Sequence, residues 1–141
     1  MAQEPPVLGR ARLLKNGTKV AILSTGEIAN EVMRAVEILN REGILPVVYQ
    51  FHTVKPLDEV TLVNASKQVH TFIVVDEHLP NGSLWSYIAG WKAATDNPVR
   101  IKRLGPPDQY ALGTLDREEI RRRWHYDADA IVDVCREMWK K

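Results

Sequence analysis

The sequence predicts a three-layer αβα domain with a mainly parallel sheet of about five strands and one antiparallel edge strand. Short apolar runs rich in β-branched residues, typical of buried strands, alternate along the chain with longer segments of helical periodicity. A connection that contains a whole helix is too long for a hairpin, so the strands it joins should run parallel. An Asn-Gly dipeptide near the start of the chain predicts the one antiparallel pair.

Composition limits the class of protein. The 141 residues fit a single domain, with residues 1–8 as a flexible N-terminus and residues 9–141 as the folded part. A net charge of +1 argues against a nucleic-acid binder, which needs a basic stripe. No apolar run is long enough to span a membrane, and the single Cys135 cannot form an internal disulfide. We therefore expect a cytoplasmic protein that binds neither nucleic acid nor membrane.

The first two strands are predicted at residues 11–14 and 19–23. Asn16-Gly17 lies between them, and this dipeptide tolerates the positive φ angles of a tight turn. We predict a hairpin whose first strand is the antiparallel edge of the sheet and whose second strand is buried.

A first helix is predicted to follow this second strand. Apolar residues recur at helical spacing, and Gly43 is placed to end the helix. The apolar positions are Ile28, Val32, Val36 and Leu39. Ser24 and Glu27 have the spacing of a capping box and are expected to close the N-terminus. The next strand, residues 46–51, should run parallel to the preceding one because a helix separates them.

The segment His52-Thr53-Val54-Lys55-Pro56-Leu57-Asp58 joins this strand to the next helix. A residue before proline is pushed out of the helical region, so Lys55 should be extended. Asp58 can cap the first amides of the helix, with Leu57 and Leu62 as a hydrophobic staple. His52 and Lys55 then lie at the carboxyl end of a strand, where open α/β sheets collect functional groups.

The alternation continues in the second half. A helix over residues 58–68 leads to a strand over residues 71–75, which ends in Asp76-Glu77-His78. Ser83 can cap a helix with one apolar face, formed by Leu84, Ile88 and Trp91. A half-exposed strand at residues 98–104 and helices at residues 116–124 and 128–139 complete the fold. The last helix carries an apolar stripe of Ile131, Val134, Cys135 and Met138.

A candidate cleft or interface is predicted at the carboxyl edge of the sheet. Its residues are Thr25, Gly26, His52, Lys55, Glu77 and His78. The Thr25-Gly26 turn offers backbone amides that suit a phosphate. One glycine is far short of a dinucleotide motif, however, and Glu27 adds negative charge there, so a capped helix is the better interpretation.

Other chemically capable residues are interpreted as structural. His52, Glu77 and His78 suit a divalent metal, but the adjacent Glu77 and His78 tend to point oppositely, so no metal site is predicted. Cys135 lies on an apolar stripe and is expected to be a buried thiol. Arg121-Arg122-Arg123 is interpreted as a solvated helix face.

The four tryptophans have two open interpretations. They can belong to the core, or they can contribute to a partner-binding surface. They are Trp85, Trp91, Trp124 and Trp139. Nowhere does the sequence force a nucleophile, a base and an oxyanion donor together, so no catalytic residues are predicted and the isolated chain is expected to be inactive.

Several segments, taken in order, resemble the C-terminal domain of transketolases. They are Gly9-Arg10-Ala11-Arg12-Leu13-Leu14, residues 20–26, Leu39-Asn40-Arg41-Glu42-Gly43-Ile44, residues 52–58, Val74-Val75-Asp76-Glu77-His78 and Arg103-Leu104-Gly105. The resemblance extends from Gly9 to the end of the chain, and Lys55-Pro56-Leu57-Asp58 is its most specific part. Related domains occur in deoxyxylulose-phosphate synthases and in 2-oxo-acid dehydrogenase β subunits. His52-Thr53 is most similar to transketolases made as two separate chains.

The resemblance implies a transferase of the pentose phosphate pathway that moves a ketol unit between sugar phosphates with thiamine diphosphate and Mg. In this family the cofactor lies between two other domains, one of which carries a Gly-Asp-Gly motif that is absent here. The chain itself is therefore expected to bind no cofactor. Its expected partners are the cofactor-binding domains or subunit of the same enzyme, a homodimer when complete. The chain is either part of a longer protein or a separately encoded subunit.

On this family interpretation, Lys55, Pro56 and Asp58 fix a turn that shapes an interface and contributes to subunit assembly or regulation. Two alternatives stay open. The domain can dock an acyltransferase core, as in 2-oxo-acid dehydrogenase β subunits, or it can sense a small molecule in the cleft near Gly26, His52 and Glu77. Asn81-Gly82 stands where the family has a glycine pair, so the loop there need not pack as it does in relatives.

Overall fold

The computed structural model of the chain describes residues 9–52, 54–77, 83–107 and 116–141. The strands are β1 (Arg12–Lys15), β2 (Lys19–Thr25), β3 (Val47–Phe51), β4 (Val69–Val75) and β5 (Arg100–Leu104). The helices are α1 (Ala29–Arg41), α2 (Glu59–Gln68), α3 (Leu84–Thr95), α4 (Arg117–Arg123) and α5 (Ala128–Trp139). None of the helices in these ranges is both long and apolar enough to cross a membrane.

The sheet has the predicted architecture of five strands with one antiparallel edge. Its strand order is β1-β3-β2-β4-β5. Strands β2 to β5 run parallel to one another, and β1 pairs with β3 in the antiparallel sense. Strand β2, buried along its apolar run, lies at the centre, as that run predicts.

The predicted N-terminal hairpin is wrong, because β1 pairs with β3 and not with β2. Leu13 lies opposite Tyr49 in this pair. The Asn16-Gly17 segment is held against the chain that enters β3, since Thr18 N donates to Leu45 O at 2.8 Å. Gly17 lies so close to the backbone of Leu45 and Pro46 that a Cβ would collide with it. The glycine therefore permits a close approach and does not close a two-residue turn.

The predicted capping box at the start of α1 is also wrong. A 3₁₀ turn at Gly26–Ile28 precedes the helix, and Ile28 at the cap position provides no side-chain hydrogen bond. Ser24 stays within β2, where its hydroxyl is buried and finds no hydrogen-bond partner among the described residues. The C-terminus of α1 agrees with prediction, because Gly43 has a φ of 77° and the chain closes through Ile44 N to Leu39 O at 3.0 Å.

Helices α1 and α5 cover one face of the sheet. Their buried side chains meet those of alternate strand residues in a single core cluster. The strand residues of this cluster are Val20, Ile22, Val48, Ile73, Val75 and Leu104. On α5 the predicted stripe is confirmed, with Ile131, Cys135 and Met138 buried and Val134 packed against the cluster.

Helices α2 and α3 cover the opposite face with a second core cluster. The strands contribute Ala21, Leu23, Val47, Phe51, Val69, Phe72 and Val74. The predicted apolar face of α3 is buried here, and Trp91 stacks on Phe72 with ring centroids 6.2 Å apart. Two cores on opposite faces of one sheet make the three predicted layers.

Candidate functional site at the carboxyl edge of the sheet

Four parallel strands end at one edge of the sheet, as the sequence predicted. The candidate residues Thr25, His52 and Glu77 lie at or just after the ends of β2, β3 and β4. Strand β2 lies between the other two, so the ends of β3 and β4 are two strand spacings, about 9.6 Å, apart. His78, the sixth candidate, and Thr53 lie outside the described residues.

The junction after β3 is organised by Asp58. Its Oδ1 accepts a hydrogen bond from Thr61 N at 3.1 Å, which caps α2 as predicted. Its Oδ2 accepts from Thr61 Oγ1 at 2.6 Å and from Ala11 N at 2.8 Å. Asp58 therefore ties the start of α2 to the residue just before β1. His52 and Lys55 are exposed beside it, and the Lys55-Pro56 peptide bond is cis.

The electrostatics of Asp58 follow from these contacts. Burial acts to raise the pKa of the carboxyl group, but the hydrogen bonds from Thr61 and from the Ala11 amide outweigh it. The pKa of Asp58 is consequently lowered from its ordinary value. The carboxylate is held as a charged structural acceptor, not as a general base poised near neutral pH.

Asp76, at the end of β4, is a second structural carboxylate. It is fully buried, and its Oδ2 accepts from Leu84 N, the first residue of α3, at 2.7 Å. Ser83 supplies the predicted cap by accepting from Ser86 N at 3.3 Å. Two acceptors thus satisfy free amides at the start of α3.

Arg121 lies near the carboxyl edge of the sheet, and its burial was not predicted from the sequence. The prediction that Arg121-Arg122-Arg123 forms a solvated face holds for Arg122 and Arg123 but is wrong for Arg121, whose side chain is only 9% exposed. Its Nε donates to Glu77 Oε1 at 2.5 Å, and its Nη1 lies 3.7 Å from Glu31 Oε1. Ile120 of α4 and Trp124 just after it pack against the core, and Arg121, next to Ile120, is buried on this side as well.

The Arg121 cluster connects four elements. Glu31, in the first turn of α1, also accepts from Ala128 N at the start of α5 at 2.9 Å. Burial acts to lower the pKa of Arg121, but the hydrogen bond and the charge of Glu77 outweigh it, so the pKa is raised. The ion pairs therefore link α4 to the end of β4 and to α1, and the backbone hydrogen bond to Glu31 adds α5 to the cluster.

A signal for this cluster was present in the sequence. Glu31 lies on the same helical stripe as Ala35 and Leu39, all of which are buried. A carboxylate on an apolar stripe needs an opposite charge when the helix packs. Its partner, however, comes from 90 residues later in the chain, and the three arginines give no hint of which one turns inward.

The Thr25-Gly26 turn is held by Gln50, whose Nε2 donates to Gly26 O at 3.3 Å. With the capping box absent, the turn is a 3₁₀ connection and not a capped helix start. Glu31 lies in the first turn of α1 and supplies the negative charge that a helix N-terminus favours.

Cys135 and the four tryptophans lie in or against the two core clusters. Within the described ranges, no three His, Cys, Asp or Glu residues are grouped so that they could hold a metal ion. Burial raises the pKa of the Cys135 thiol to about 12, which suits the predicted inert core residue. Trp91 belongs to the core, and Trp85, Trp124 and Trp139 are partly buried against the two core clusters.

The carboxylates of this edge share one arrangement. Asp58 and Asp76 accept from backbone amides at helix starts, and Glu31 and Glu77 bind Arg121. A general base or a metal ligand needs lone pairs directed at a substrate or an ion. The described carboxylates of this edge instead hold the ends of α2 and α3 and the side chain of Arg121 in place.

These features define a class: a three-layer αβα domain whose polar edge is built from helix caps and ion pairs. The family model described as "Transketolase, C-terminal domain" matches residues 9–131. The chain belongs to this family.

Known relatives are considerably longer than this chain. Over 130 residues the chain is 35% identical to one subunit of the apulose-4-phosphate transketolase of Actinobacillus succinogenes, covering 92% of this chain and 42% of that protein. It is 32% identical over 131 residues to the 1-deoxy-D-xylulose-5-phosphate synthase of Porphyromonas gingivalis, covering 93% of this chain and 20% of that protein. The chain therefore spans less than half the length of these relatives.

A solved structure shares the fold. The structure titled "Split gene transketolase, inactive beta4 tetramer" superposes with a TM-score of 0.83 at 24% identity, covering 99% of this chain and 44% of that one. The predicted five-stranded αβα architecture is thereby confirmed as that of transketolase C-terminal domains.

Proposed function

We propose that this chain is the C-terminal, non-cofactor-binding domain of a thiamine-diphosphate-dependent transketolase that transfers ketol units between sugar phosphates. The proposal rests on the contacts of the carboxylates at the carboxyl edge of the sheet. Asp58, Asp76, Glu31 and Glu77 accept from helix amides or bind Arg121 there. The domain then serves the assembly of an enzyme whose chemistry lies in another part.

The cofactor of the complete enzyme does not fit the described residues. Mg²⁺ requires oxygen ligands in near-octahedral geometry, and a bound diphosphate brings further negative charge. The carboxylates of the edge are spread over α1, α2 and the end of β4, and each already has a donor. We assign thiamine diphosphate and Mg to the cofactor-binding domains or subunit that this domain accompanies.

The substrate class is drawn from the relatives. The name of the relative from Actinobacillus succinogenes states a sugar phosphate, apulose 4-phosphate, and a transketolase that has separate subunits. His52-Thr53 before Val54-Lys55-Pro56 also favours the two-chain transketolases over the synthases. The proposal includes a cytoplasmic, homodimeric complete enzyme and a turn at Lys55, Pro56 and Asp58 that borders an interface.

Reconstitution tests the proposal. The chain is purified alone and mixed with the thiamine-diphosphate-binding part encoded with it, and ketol transfer from xylulose 5-phosphate is followed. We expect turnover only in the mixture and no rise in the Tm of this chain alone with thiamine diphosphate and Mg²⁺, because a ligand raises Tm only when it binds the folded state. Turnover by this chain alone, or such a rise in Tm, would contradict the proposal. Binding of a lipoyl-bearing acyltransferase without ketol transfer would establish the docking alternative instead.

A further inference from the structure

We propose that the outer face of helices α2 and α3 is the surface on which the cofactor-binding part of the enzyme packs. This inference rests on the proposed function and adds to it the place of contact. The outer face is defined by the exposed residues of the two helices. They are Glu59, Val60, Val63, Asn64, Lys67, Gln68, Tyr87, Gly90, Ala93, Ala94 and Thr95.

The outer face differs in chemistry from the corresponding face of the other helical layer. On α1 and α5 the exposed residues are mostly charged, namely Arg34, Glu37, Arg41, Asp129, Asp133, Arg136 and Glu137 beside Asn30 and Met33. On α2 and α3 the exposed charged residues are Glu59 and Lys67. Depletion of charge at the centre of a surface is typical of protein interfaces.

Large apolar side chains occupy this low-charge surface. Val60 is 72% exposed, Val63 is 38% exposed and Tyr87 is 36% exposed. Val60 and Val63 are one turn apart on α2 and so lie side by side. Single exposed apolar residues are ordinary, whereas two adjacent valines on a surface of low charge favour a binding surface.

The two helices form one continuous surface. Asn97, just after α3, donates through Nδ2 to Ser66 Oγ of α2 at 3.0 Å. Lys92 of α3 donates to Asn97 O at 2.8 Å, so its charged group is paired with a backbone carbonyl. On the same side of the sheet, Leu13 of β1 is half exposed and lies opposite Tyr49, which packs against the core under α2 and α3.

The position of the first described residues indicates the occupant. The family is a C-terminal domain, and its relatives extend well beyond the matched region, so their additional length includes a part that precedes the domain. Ala11 N is bonded to Asp58 at the start of α2. The described chain therefore begins beside the start of α2, and we infer that a part preceding the domain in such an enzyme is attached on this side.

Area argues against a second copy of this chain as the occupant. Helices of 10 and 12 residues are about 15 and 18 Å long and about 10 Å wide, which gives roughly 330 Å² of flat area. A stable interface takes about 800 Å² from each partner. Two copies meeting through this face alone would fall short, whereas a part that also contacts the β1 side gains further area.

Matched charge insertions test the contact. Val63→Glu and Val60→Glu place a carboxylate in the outer face, and Met33→Glu places one at equal exposure on α1, since Met33 is 36% exposed. The affinity of each purified variant for the separately purified thiamine-diphosphate-binding part is measured by isothermal titration. We expect at least about tenfold weaker binding for the two α2 variants, because a carboxylate buried at an interface loses its hydration, and less than twofold change for Met33→Glu.

The outcomes separate this inference from the proposed function. Failure of the wild-type chain to bind overturns the proposed function and the inference with it. Wild-type binding that Val60→Glu and Val63→Glu leave unchanged overturns the inference alone. A wild-type chain that sediments as a dimer, and that Val63→Glu converts to a monomer, identifies a second copy as the occupant and also overturns the inference. Circular dichroism confirms that each variant is folded, as expected for exposed positions.

Discussion

The two helical layers of this domain are alike on the inside and different on the outside. Each layer packs a set of apolar side chains against one face of the same central strands. Outside, the α1–α5 layer carries mostly charged residues, and ion pairs such as Arg136 with Glu42 link them. Among the described residues, the α2–α3 layer exposes only two charged residues, Glu59 and Lys67, beside valines, alanines, a tyrosine and uncharged polar residues. Folding therefore requires both inner faces to be apolar, whereas the chemistry of each outer face depends on whether the layer contacts solvent or a partner.

Stability should depend equally on the two inner faces. Trp91→Ala removes a side chain that stacks on Phe72, and we expect a loss of about 3–5 kcal/mol in the free energy of unfolding. Leu39→Ala in the other core should cost about 2–5 kcal/mol. Urea unfolding measures both. A cost below about 1 kcal/mol in either layer would show that its inner face is not a packed core.

The ion-pair cluster should matter more than surface charge on the α1–α5 side. Arg121→Ala leaves Glu77 and Glu31 without their buried guanidinium, so we expect a loss of about 2–3 kcal/mol in the free energy of unfolding. Arg122→Ala, at the exposed neighbouring position, should change stability by less than about 0.5 kcal/mol. Equal effects of the two substitutions would contradict the buried position of Arg121.

On the α2–α3 side, Asp58 makes the corresponding polar connection. Asp58→Asn should destabilise the domain by about 1–2 kcal/mol at neutral pH, since it weakens the cap and the bond to Ala11. The pKa of Asp58 is lowered in the folded chain, so its contribution is present above about pH 4 and is lost as the pH falls through the folded pKa. The gap between wild type and variant in thermal unfolding should therefore narrow below about pH 4. A gap that widens on acidification would show that the carboxylate is not stabilising.

The smallest expected effect concerns the outer faces in the isolated chain. Val63→Glu and Met33→Glu alter side chains of nearly equal exposure, and each should change the free energy of unfolding by less than about 0.5 kcal/mol. Their difference should appear only when the partner is present. A large loss of stability for Val63→Glu alone would mean that Val63 supports the fold itself.

The architecture and the helix ends at Gly43, Asp58 and Ser83 followed from local sequence rules, whereas the long-range contacts did not. Periodicity located the helices, and Asp58, Ser83 and Gly43 were correctly placed at helix ends because capping depends on neighbouring residues. The Asn16-Gly17 hairpin was wrong because turn propensity says nothing about which strand a segment will meet, and β1 gains its pairing from β3. The capping box failed similarly, since sheet pairing keeps Ser24 in β2.

The sequence predicted where the candidate residues lie in the sheet, but it did not predict their contacts. The carboxyl ends of parallel strands meet by topology alone, so Thr25, His52 and Glu77 could be located at one edge. That Glu77 binds Arg121 depends on how α4 returns to the sheet, which periodicity does not encode. Lys92 is the single charged residue of α3, and this was visible in the sequence. Only the structure shows which residues of α3 are exposed, and therefore that its outer face has low charge.

Hydroxyl-radical footprinting can show whether the cofactor-binding part packs on the outer face of α2 and α3. It compares the exposure of side chains in the free chain with their exposure in the complex. Tyr87 on α3 and Met33 on α1 are equally exposed at 36%, and each is a reactive side chain in its own layer. We expect the cofactor-binding part to slow oxidation of Tyr87 several-fold and to leave that of Met33 unchanged. Protection of Met33 with continued oxidation of Tyr87 would contradict this expectation.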